Sequence, residues 1–229
     1  MKRRWYGVLF GLVLLSLGVT AVCVWRMPDK VPMHYNAAGE IDRYGSRYEN
    51  LLFPAVVLGI ALLFAVMAGM QRRRKAPSNE KGILLAGIFL LVFLNLLFGY
   101  FLLSALAVSG GAIEIPESGF VWRLLGAGLG VLFCLLGNWM PKMRRNALFG
   151  LRTVWSLKND RVWQKSQRLG GISMVVSGAA MVLCSFFLTG AACLIALGAI
   201  LLADLTLSVV LSYRVYRQDR REHPEDYAV

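Results

Sequence analysis

The stretch Gly137–Gly171 reads GNWMPKMRRNALFGLRTVWSLKNDRVWQKSQRLGG and is the one long polar segment that is both strongly basic and rich in Trp. An apolar run precedes it and another follows it. These runs, like the others in the chain, are about 20 residues long, which suits a hydrocarbon core about 30 Å thick at about 1.5 Å per helical residue. The stretch therefore predicts a membrane-spanning chain with a basic loop in its second half.

The composition supports this interpretation. The chain has 229 residues, of which 57% are hydrophobic and only 17% charged, which excludes an ordinary soluble domain. A net charge of +12 would suit nucleic-acid binding, but the basic residues gather at the ends of apolar runs, so we expect no direct contact with nucleic acid. The four Cys lack the spacing of a metal or redox site, and no cofactor is predicted.

Six transmembrane spans are predicted, so the fold class is an all-α polytopic membrane protein. The spans cover residues 5–25, 51–70, 82–108, 120–140, 169–188 and 191–213. Twenty of the 25 Lys and Arg residues fall in the N-terminus, the second loop, the central segment and the C-terminal tail, and the basic side of a membrane protein normally faces the cytoplasm. Both termini are therefore predicted to be cytoplasmic, and the loop 26–50 extracytoplasmic.

Two stretches resemble known families. The outer loop MPDKVPMHYNAAGEIDRYGSR is similar to the loop of a widespread bacterial membrane domain of unknown function, and the central stretch resembles the signature of the SdpI family of bacterial immunity proteins. The matching outer positions are Pro32, His34, Asn36, Gly39, Asp42, Arg43 and Gly45. The matching central positions are Gly137, Asn138, Pro141, Lys142, Asn146, Gly150, Arg152, Thr153, Trp155, Trp163 and Arg168–Gly171.

The resemblance implies a multi-pass protein of the bacterial cytoplasmic membrane that protects a cell from a secreted antimicrobial peptide. It also implies that such a protein sometimes controls a transcriptional regulator, which would be a repressor held at the membrane. We accordingly divide the chain into a two-span region, residues 1–81, and an SdpI-like four-span region, residues 82–229, with a cytoplasmic basic loop at 141–168. The expected partners are the lipid bilayer, a toxin outside and the repressor inside.

The central segment has local signals of its own. Pro141 should end span four, Gly150 should allow a turn, and Ser156 should cap a new helix whose first turn contains Asp160. This helix would lie along the inner membrane surface. One face would carry Arg161, Lys165 and Arg168, and another Trp155, Val162 and Leu169. The segment either anchors the chain and sets its topology, or docks a cytoplasmic partner or gates the bundle.

The outer loop is rich in Pro and Gly, which predicts a turn-rich cap with a tight turn at Asn36–Gly39. His34, Glu40 and Asp42 allow metal binding or acid–base chemistry, but one His with two carboxylates lacks the spacing of a zinc protease. The favoured interpretation is that His34 and Asn36 satisfy backbone groups in a cap that faces the toxin.

Asp204 is the one acidic residue deep inside a predicted span, and such a residue is a functional candidate because burying its charge is costly. The alternative is a neutral carboxyl group, or one paired with a polar residue of the bundle such as Asn95 or Asn138. Small residues of spans five and six, including Gly178 and Gly198, predict close helix packing. Because no known catalytic motif is present, a non-enzymatic role is favoured over a small transporter and over a membrane-embedded enzyme.

Overall fold

The computed structural model describes residues 2–36, 40–74, 76–110 and 119–227. Six long helices dominate them, and all six contain an apolar stretch long enough to cross a membrane, so the predicted six-span, all-α architecture is confirmed. The helices are α1 (Lys2–Arg26), α2 (Leu52–Arg73), α3 (Pro77–Gly110), α4 (Gly119–Trp139), α5 (Asp160–Phe187) and α6 (Gly190–Glu222).

Consecutive spans place the helix ends on two sides of the protein. The basic side carries the start of α1, the α2–α3 connection, the segment 140–159 between α4 and α5, and the end of α6. The hairpin side carries the segment between α1 and α2, and the turn between α5 and α6. Which side faces the cytoplasm stays a prediction from the distribution of Lys and Arg.

Helix α3 packs against both α1 and α2, and α5 packs against α4 and α6. The largest apolar core lies among the first three helices and extends to the end of α4 and the segment after it. Its buried members include Leu9, Val57, Ile83, Leu91 and Met143. The proposed division of the chain after residue 81 stays a prediction.

Helices α4 and α5 approach each other through two pairs of glycines. A Cβ atom added to Gly130 would lie 2.4 Å from the carbonyl oxygen of Gly178, and one added to Gly137 would lie 2.6 Å from that of Gly171. Contacts this close are possible only without side chains, and they are typical of helices that pack inside a bilayer. Close packing is thus confirmed for Gly178 but not for Gly198, which has no described atom within 4 Å of its Cβ position.

The loop between α1 and α2 contains a β-hairpin that was not predicted. Strand β1 (Lys30–Tyr35) pairs antiparallel with β2 (Ile41–Ser46), and a single 3₁₀ turn, Arg47–Leu51, leads into α2. The Asn36 amide donates a hydrogen bond to the Glu40 carbonyl oxygen at 2.9 Å, which joins the two strand ends beside the turn. The predicted turn residues 37–39, including Gly39, lie outside the described part of the chain.

The predicted helix along the inner membrane surface is wrong. Its cap is Asn159, whose side-chain oxygen accepts a hydrogen bond from the Val162 amide at 2.8 Å, and not Ser156. The helix that begins at Asp160 continues without a break to Phe187 and includes Gly170 and Gly171, which pack closely against Met140 and Gly137. The predicted amphipathic residues are therefore the first turns of span five, and Trp155 precedes the helix.

Candidate functional site

The segment 140–159 has almost no regular structure, and side-chain amides replace the missing backbone partners. The Asn146 side chain accepts hydrogen bonds from the amides of Leu148 and Phe149, both at 2.8 Å, and donates one to the Arg144 carbonyl oxygen at 2.8 Å. A loop with so little regular structure needs such partners, because a buried backbone amide without a hydrogen bond costs free energy. Asn146 thereby fixes the turn that follows Pro141, where α4 ends as predicted.

Gly150 and Gln167 fix the next part of the segment. Gly150 has a φ of 102°, which confirms the predicted turn and favours glycine. The Gln167 side chain then accepts from the Leu151 amide and donates to the Leu151 carbonyl oxygen, both at 2.9 Å. Gln167 is fully buried. Its side-chain amide bonds both backbone groups of Leu151, as a residue of a neighbouring β-strand would.

Thr153 and Ser156 close a second turn and join it to α6. The Ser156 hydroxyl donates to the Leu151 carbonyl oxygen at 2.9 Å and accepts from the Thr153 amide at 2.9 Å. The Thr153 hydroxyl lies 3.2 Å from that of Ser212 on α6. Ser156 is thus a buried turn residue and not the helix cap that the sequence predicted.

A line of polar side chains runs along the contact between α5 and α6, and we call it the polar seam. In an apolar environment such groups stabilise helix contacts by hydrogen bonding across the interface. On α5 the seam consists of Arg161, Ser166, Ser173 and Ser177, and on α6 of Asp204, Ser212 and Asp219. The seam links the segment 140–159 to the middle of the bundle.

Asp204 lies in the middle of the polar seam. Its carboxylate accepts hydrogen bonds from the hydroxyls of Ser173 at 2.5 Å and Ser177 at 3.2 Å. Asp204 is therefore paired with polar residues of the bundle, as the alternative interpretation expected, but not with its examples Asn95 and Asn138: Asn95 donates to its own helix at Leu91, and Asn138 is exposed. The two hydroxyls that contact Asp204 lie one turn apart on the same face of α5.

A cavity of about 470 Å³ lies beside Asp204, below the segment 140–159. Its wall is almost entirely apolar, and Asp204 and Ser208 supply its polar side chains. Gly150 and Leu151 cover it on the basic side, so the site joins a candidate residue of the central stretch to the intramembrane carboxylate.

A second cavity, of about 790 Å³, lies on the basic side and we call it the basic cavity. It brings together four of the predicted central residues: Pro141, Lys142, Trp163 and Arg168. Trp163 is buried and donates its ring N–H to the Met143 carbonyl oxygen at 2.8 Å, so it forms the cavity's inner wall. The other lining residues are Met143, Arg144, Arg145, Asp160, Gln164 and Lys165.

The remaining central candidates lie apart from both cavities. The Arg152 side chain is exposed, and the Trp155 ring packs edge-on against Tyr213 of α6 with the ring centroids 5.3 Å apart. Trp155 therefore helps to hold the segment on α6, while Arg152 stands free on its outer surface.

The outer-loop candidates form a separate group on the hairpin side. The His34 ring lies 2.6 Å from the Asp42 carboxylate, and the exposed Arg43 pairs with Glu49 at 3.1 Å. Asn36 accepts a hydrogen bond from the Glu40 amide at 3.0 Å, so the expected backbone contact is confirmed for Asn36, whereas His34 contacts the Asp42 carboxylate rather than a backbone group. Pro32 is buried in the hairpin. Within the described ranges no three His, Cys, Asp or Glu side chains are grouped as metal ligands.

The C-terminal turn Pro224–Tyr227 folds back onto the start of α5. Buried Asp219 accepts hydrogen bonds from Asn159 at 2.8 Å and from the Tyr227 hydroxyl at 2.7 Å, while Arg161 forms ion pairs with Asp219 and Asp226. Burial and the hydrogen bond to Asp219 raise the pKa of Tyr227 to about 12. The tail residues up to Tyr227 therefore close the basic end of the polar seam.

Several structurally central residues were missed at the sequence level. Gln167 and Asn79 are single amides in polar stretches, and nothing in their neighbourhood indicates a distant backbone partner. Ser173 and Ser177 did carry a signal, because two hydroxyls spaced by four in an apolar span point to one helix face. The same spacing relates Asp204, Ser208 and Ser212 on α6.

Comparisons with known proteins agree with this architecture. Residues 142–211 match the model of the SdpI/YfhL protein family, and residues 11–58 match that of DUF1648, a domain of unknown function. Immunity protein SdpI of Bacillus subtilis is 26% identical over 219 residues, which is 95% of this chain and 98% of that protein.

A shorter match, 42% identical over 55 residues, is to an uncharacterized protein of Archaeoglobus fulgidus and covers 20% of this chain and 30% of that protein. No solved structure matches the chain significantly. The SdpI/YfhL match covers the segment after α4, α5 and most of α6. The DUF1648 match covers most of α1, the hairpin strands and the start of α2. Over residues 142–211 the chain is therefore similar to the SdpI/YfhL protein family, and over residues 11–58 it is similar to DUF1648.

Proposed function

We propose that this chain is an immunity protein of the bacterial cytoplasmic membrane, which gives resistance to a secreted antimicrobial peptide by binding and without catalysis. The observation that carries the proposal is the likeness to immunity protein SdpI over nearly the full length of both chains. An alignment that covers 95% of this chain includes the segments on both sides of the membrane, and not only one motif.

The two sides of the protein suit different partners. The hairpin is held rigidly, since Arg47 donates to the Met27 carbonyl oxygen at 2.8 Å and buried Asn50 donates to that of Arg47 at 3.0 Å. It presents His34, Asp42 and Arg43 outward, and we assign the meeting with the peptide toxin to this surface. The basic side then faces the cytoplasm and is the surface on which a transcriptional repressor is retained.

Deletion and complementation in the native host test this proposal. A strain that lacks the gene should be inhibited by culture supernatant of its own parent strain, and the plasmid-borne gene should restore growth. His34→Ala and Asn36→Ala should each lower the protection. The matched control is Tyr44→Ala, an exposed hairpin residue outside the candidate set.

Membrane abundance of each variant is measured by immunoblot, so that loss of protein is separated from loss of function. Unchanged growth of the deletion strain in parental supernatant would remove the immunity role. Full protection by the His34 and Asn36 variants at normal abundance would remove the role of the hairpin but leave that of the protein.

The cavity beside Asp204 favours a second candidate, a small proton-coupled exporter of the toxin. A carboxylate held by two hydroxyls inside the bilayer can exchange a proton during a transport cycle. Export predicts that Asp204→Asn abolishes resistance while Asp204→Glu, which keeps the carboxylate, retains part of it. Immunity by binding at the hairpin predicts that Asp204→Asn protects as the native chain does, at equal membrane abundance.

A further inference from the structure

The basic cavity contains more positive charge than its own residues neutralise. It is lined by five cations and one carboxylate, Asp160, and that carboxylate is paired with Arg145 at 2.9 Å. The other four have no carboxylate partner in the part of the chain that the structure describes. They are Lys142, Arg144, Lys165 and Arg168. A concave surface with four unpaired cations attracts an anion.

A groove of about 600 Å³ continues from the basic cavity along α4 and α5, and its wall is mostly apolar, with Asn138 as a polar member near the basic end. Pro141 and Arg168 line both, so the two are contiguous. The groove passes over Gly137 and Gly171, where the two backbones meet without side chains. Its outer wall is the exposed surface of Ile172, Val175 and Val176, which is part of a membrane-spanning helix.

The position of Arg168 connects these two parts. It lies three residues before Gly171, near Pro141 in the turn that follows α4, and its exposed side chain lines the basic cavity and the groove together. A ligand that fills both must carry negative charge at one end and an apolar chain at the other. Such a ligand must also reach the site from within the bilayer.

We propose that the basic cavity and the adjoining groove together bind one anionic phospholipid. The phosphate of the head group lies among Lys142, Arg144, Lys165 and Arg168, and one acyl chain lies in the groove over the glycine pair. A soluble phosphate compound would leave the groove empty. An acidic protein segment would fill the basic cavity but would have to enter the hydrocarbon region to use the rest.

Lipid binding to the purified full-length protein in detergent tests the proposal by native mass spectrometry. Phosphatidylglycerol should bind more tightly than phosphatidylcholine with the same acyl chains. Lys165→Gln and Arg168→Gln should each weaken phosphatidylglycerol binding roughly fivefold, the change expected for one cation near a lipid surface. Lys158→Gln is the matched control: it removes the same charge from an exposed position on the same segment outside the cavity, and it should bind as the native chain does.

A groove variant and soluble competitors separate the sources of the anion. Val176→Trp, which fills the groove, should weaken phosphatidylglycerol binding while the unfolding temperature stays unchanged. The proposal is overturned if glycerol phosphate or inorganic phosphate competes as effectively as the lipid, or if poly-glutamate binds more tightly than the lipid. Equal binding of the two lipids, or an equal loss in the Lys158 control, would overturn it as well.

Discussion

Single amide side chains hold the segment 140–159 in place. Asn146 and Gln167 together make five hydrogen bonds to backbone groups, and both are buried. Each such bond contributes about 1 kcal/mol net, but leaving its backbone partner unpaired costs more. The conformation of the segment therefore depends on a few side-chain amides. At Gly150 it depends on the backbone, because a φ of 102° favours glycine over all other residues.

Gly150→Ala should destabilise the protein by about 1–3 kcal/mol. The new methyl group would sit at a φ of 102° and 2.5 Å from the Gln167 side-chain oxygen. Gly198→Ala is the control, because that glycine is helical and has open space around it. Thermal unfolding in detergent measures both, and an unchanged midpoint for Gly150→Ala would contradict the strain at this turn.

Among the helices, the α4–α5 contact depends on shape rather than on polarity. The Gly130–Gly178 and Gly137–Gly171 pairs are seven residues apart on each helix, so they lie on one face and bring the backbones together twice. Lipid offers no hydrophobic drive for this contact, which leaves close packing and weak Cα–H···O contacts to stabilise it.

Gly130→Val should separate α4 from α5 and destabilise the protein by about 1–3 kcal/mol, the usual cost of overpacking. The valine side chain would meet the Gly178 carbonyl oxygen and the Val182 backbone. Gly59→Val on α2, where the added Cβ meets no described atom within 4 Å, is the matched control. Equal unfolding temperatures for the two variants would show that the glycine pair is dispensable.

The C-terminal turn should release at high pH. Burial and the hydrogen bond to Asp219 raise the pKa of Tyr227 from 10.0 to about 12, so the protonated hydroxyl is favoured in the folded state. Its contribution is complete below pH 10, the ordinary value, and is lost as the pH rises through 12. Because the hydroxyl is partly exposed, we expect no more than about 1 kcal/mol.

The measurement is the unfolding temperature of the native chain and of Tyr227→Phe across this pH range. The native chain should be the more stable at neutral pH, and the difference should vanish as Tyr227 ionises. Glu225→Gln is the control, since this exposed carboxylate pairs with His223 at 3.5 Å and is not a partner of Tyr227 among the described contacts. A difference that persists above the raised pKa would contradict the role of the hydroxyl.

At the scale of the whole molecule, the two sides differ in charge, and this difference predicts the orientation in the membrane. A cysteine placed at Tyr44, which is exposed on the hairpin, should react with an impermeant maleimide in intact cells. A cysteine at exposed Lys158 should react only after the cells are permeabilised. The reverse labelling pattern would invert the assignment of both surfaces.

The architecture could be predicted because the lipid environment constrains it. Six apolar runs, Pro141 and Gly150 each carry a local signal, and each is confirmed. The polar seam could not be predicted in full, since its hydrogen-bond partners are up to 58 residues apart in the sequence, as with Arg161 and Asp219. The prediction of a surface helix was wrong. The charged residues of 160–168 have the pattern of an interfacial helix, but the helix that contains them continues without a break into span five.

Helix α3 connects the hairpin to the segment 140–159 as one stiff rod. At one end, Leu102 and Ala105 pack against Val31 of the hairpin, and Tyr35 contacts Phe101. At the other end, Asn79 accepts from the Arg144 amide at 2.8 Å and donates to its carbonyl oxygen at 3.1 Å. The helix is about 50 Å long, at about 1.5 Å for each of its 34 residues. One uninterrupted helix therefore contacts both the hairpin and the turn at Arg144, and it sets the separation between them.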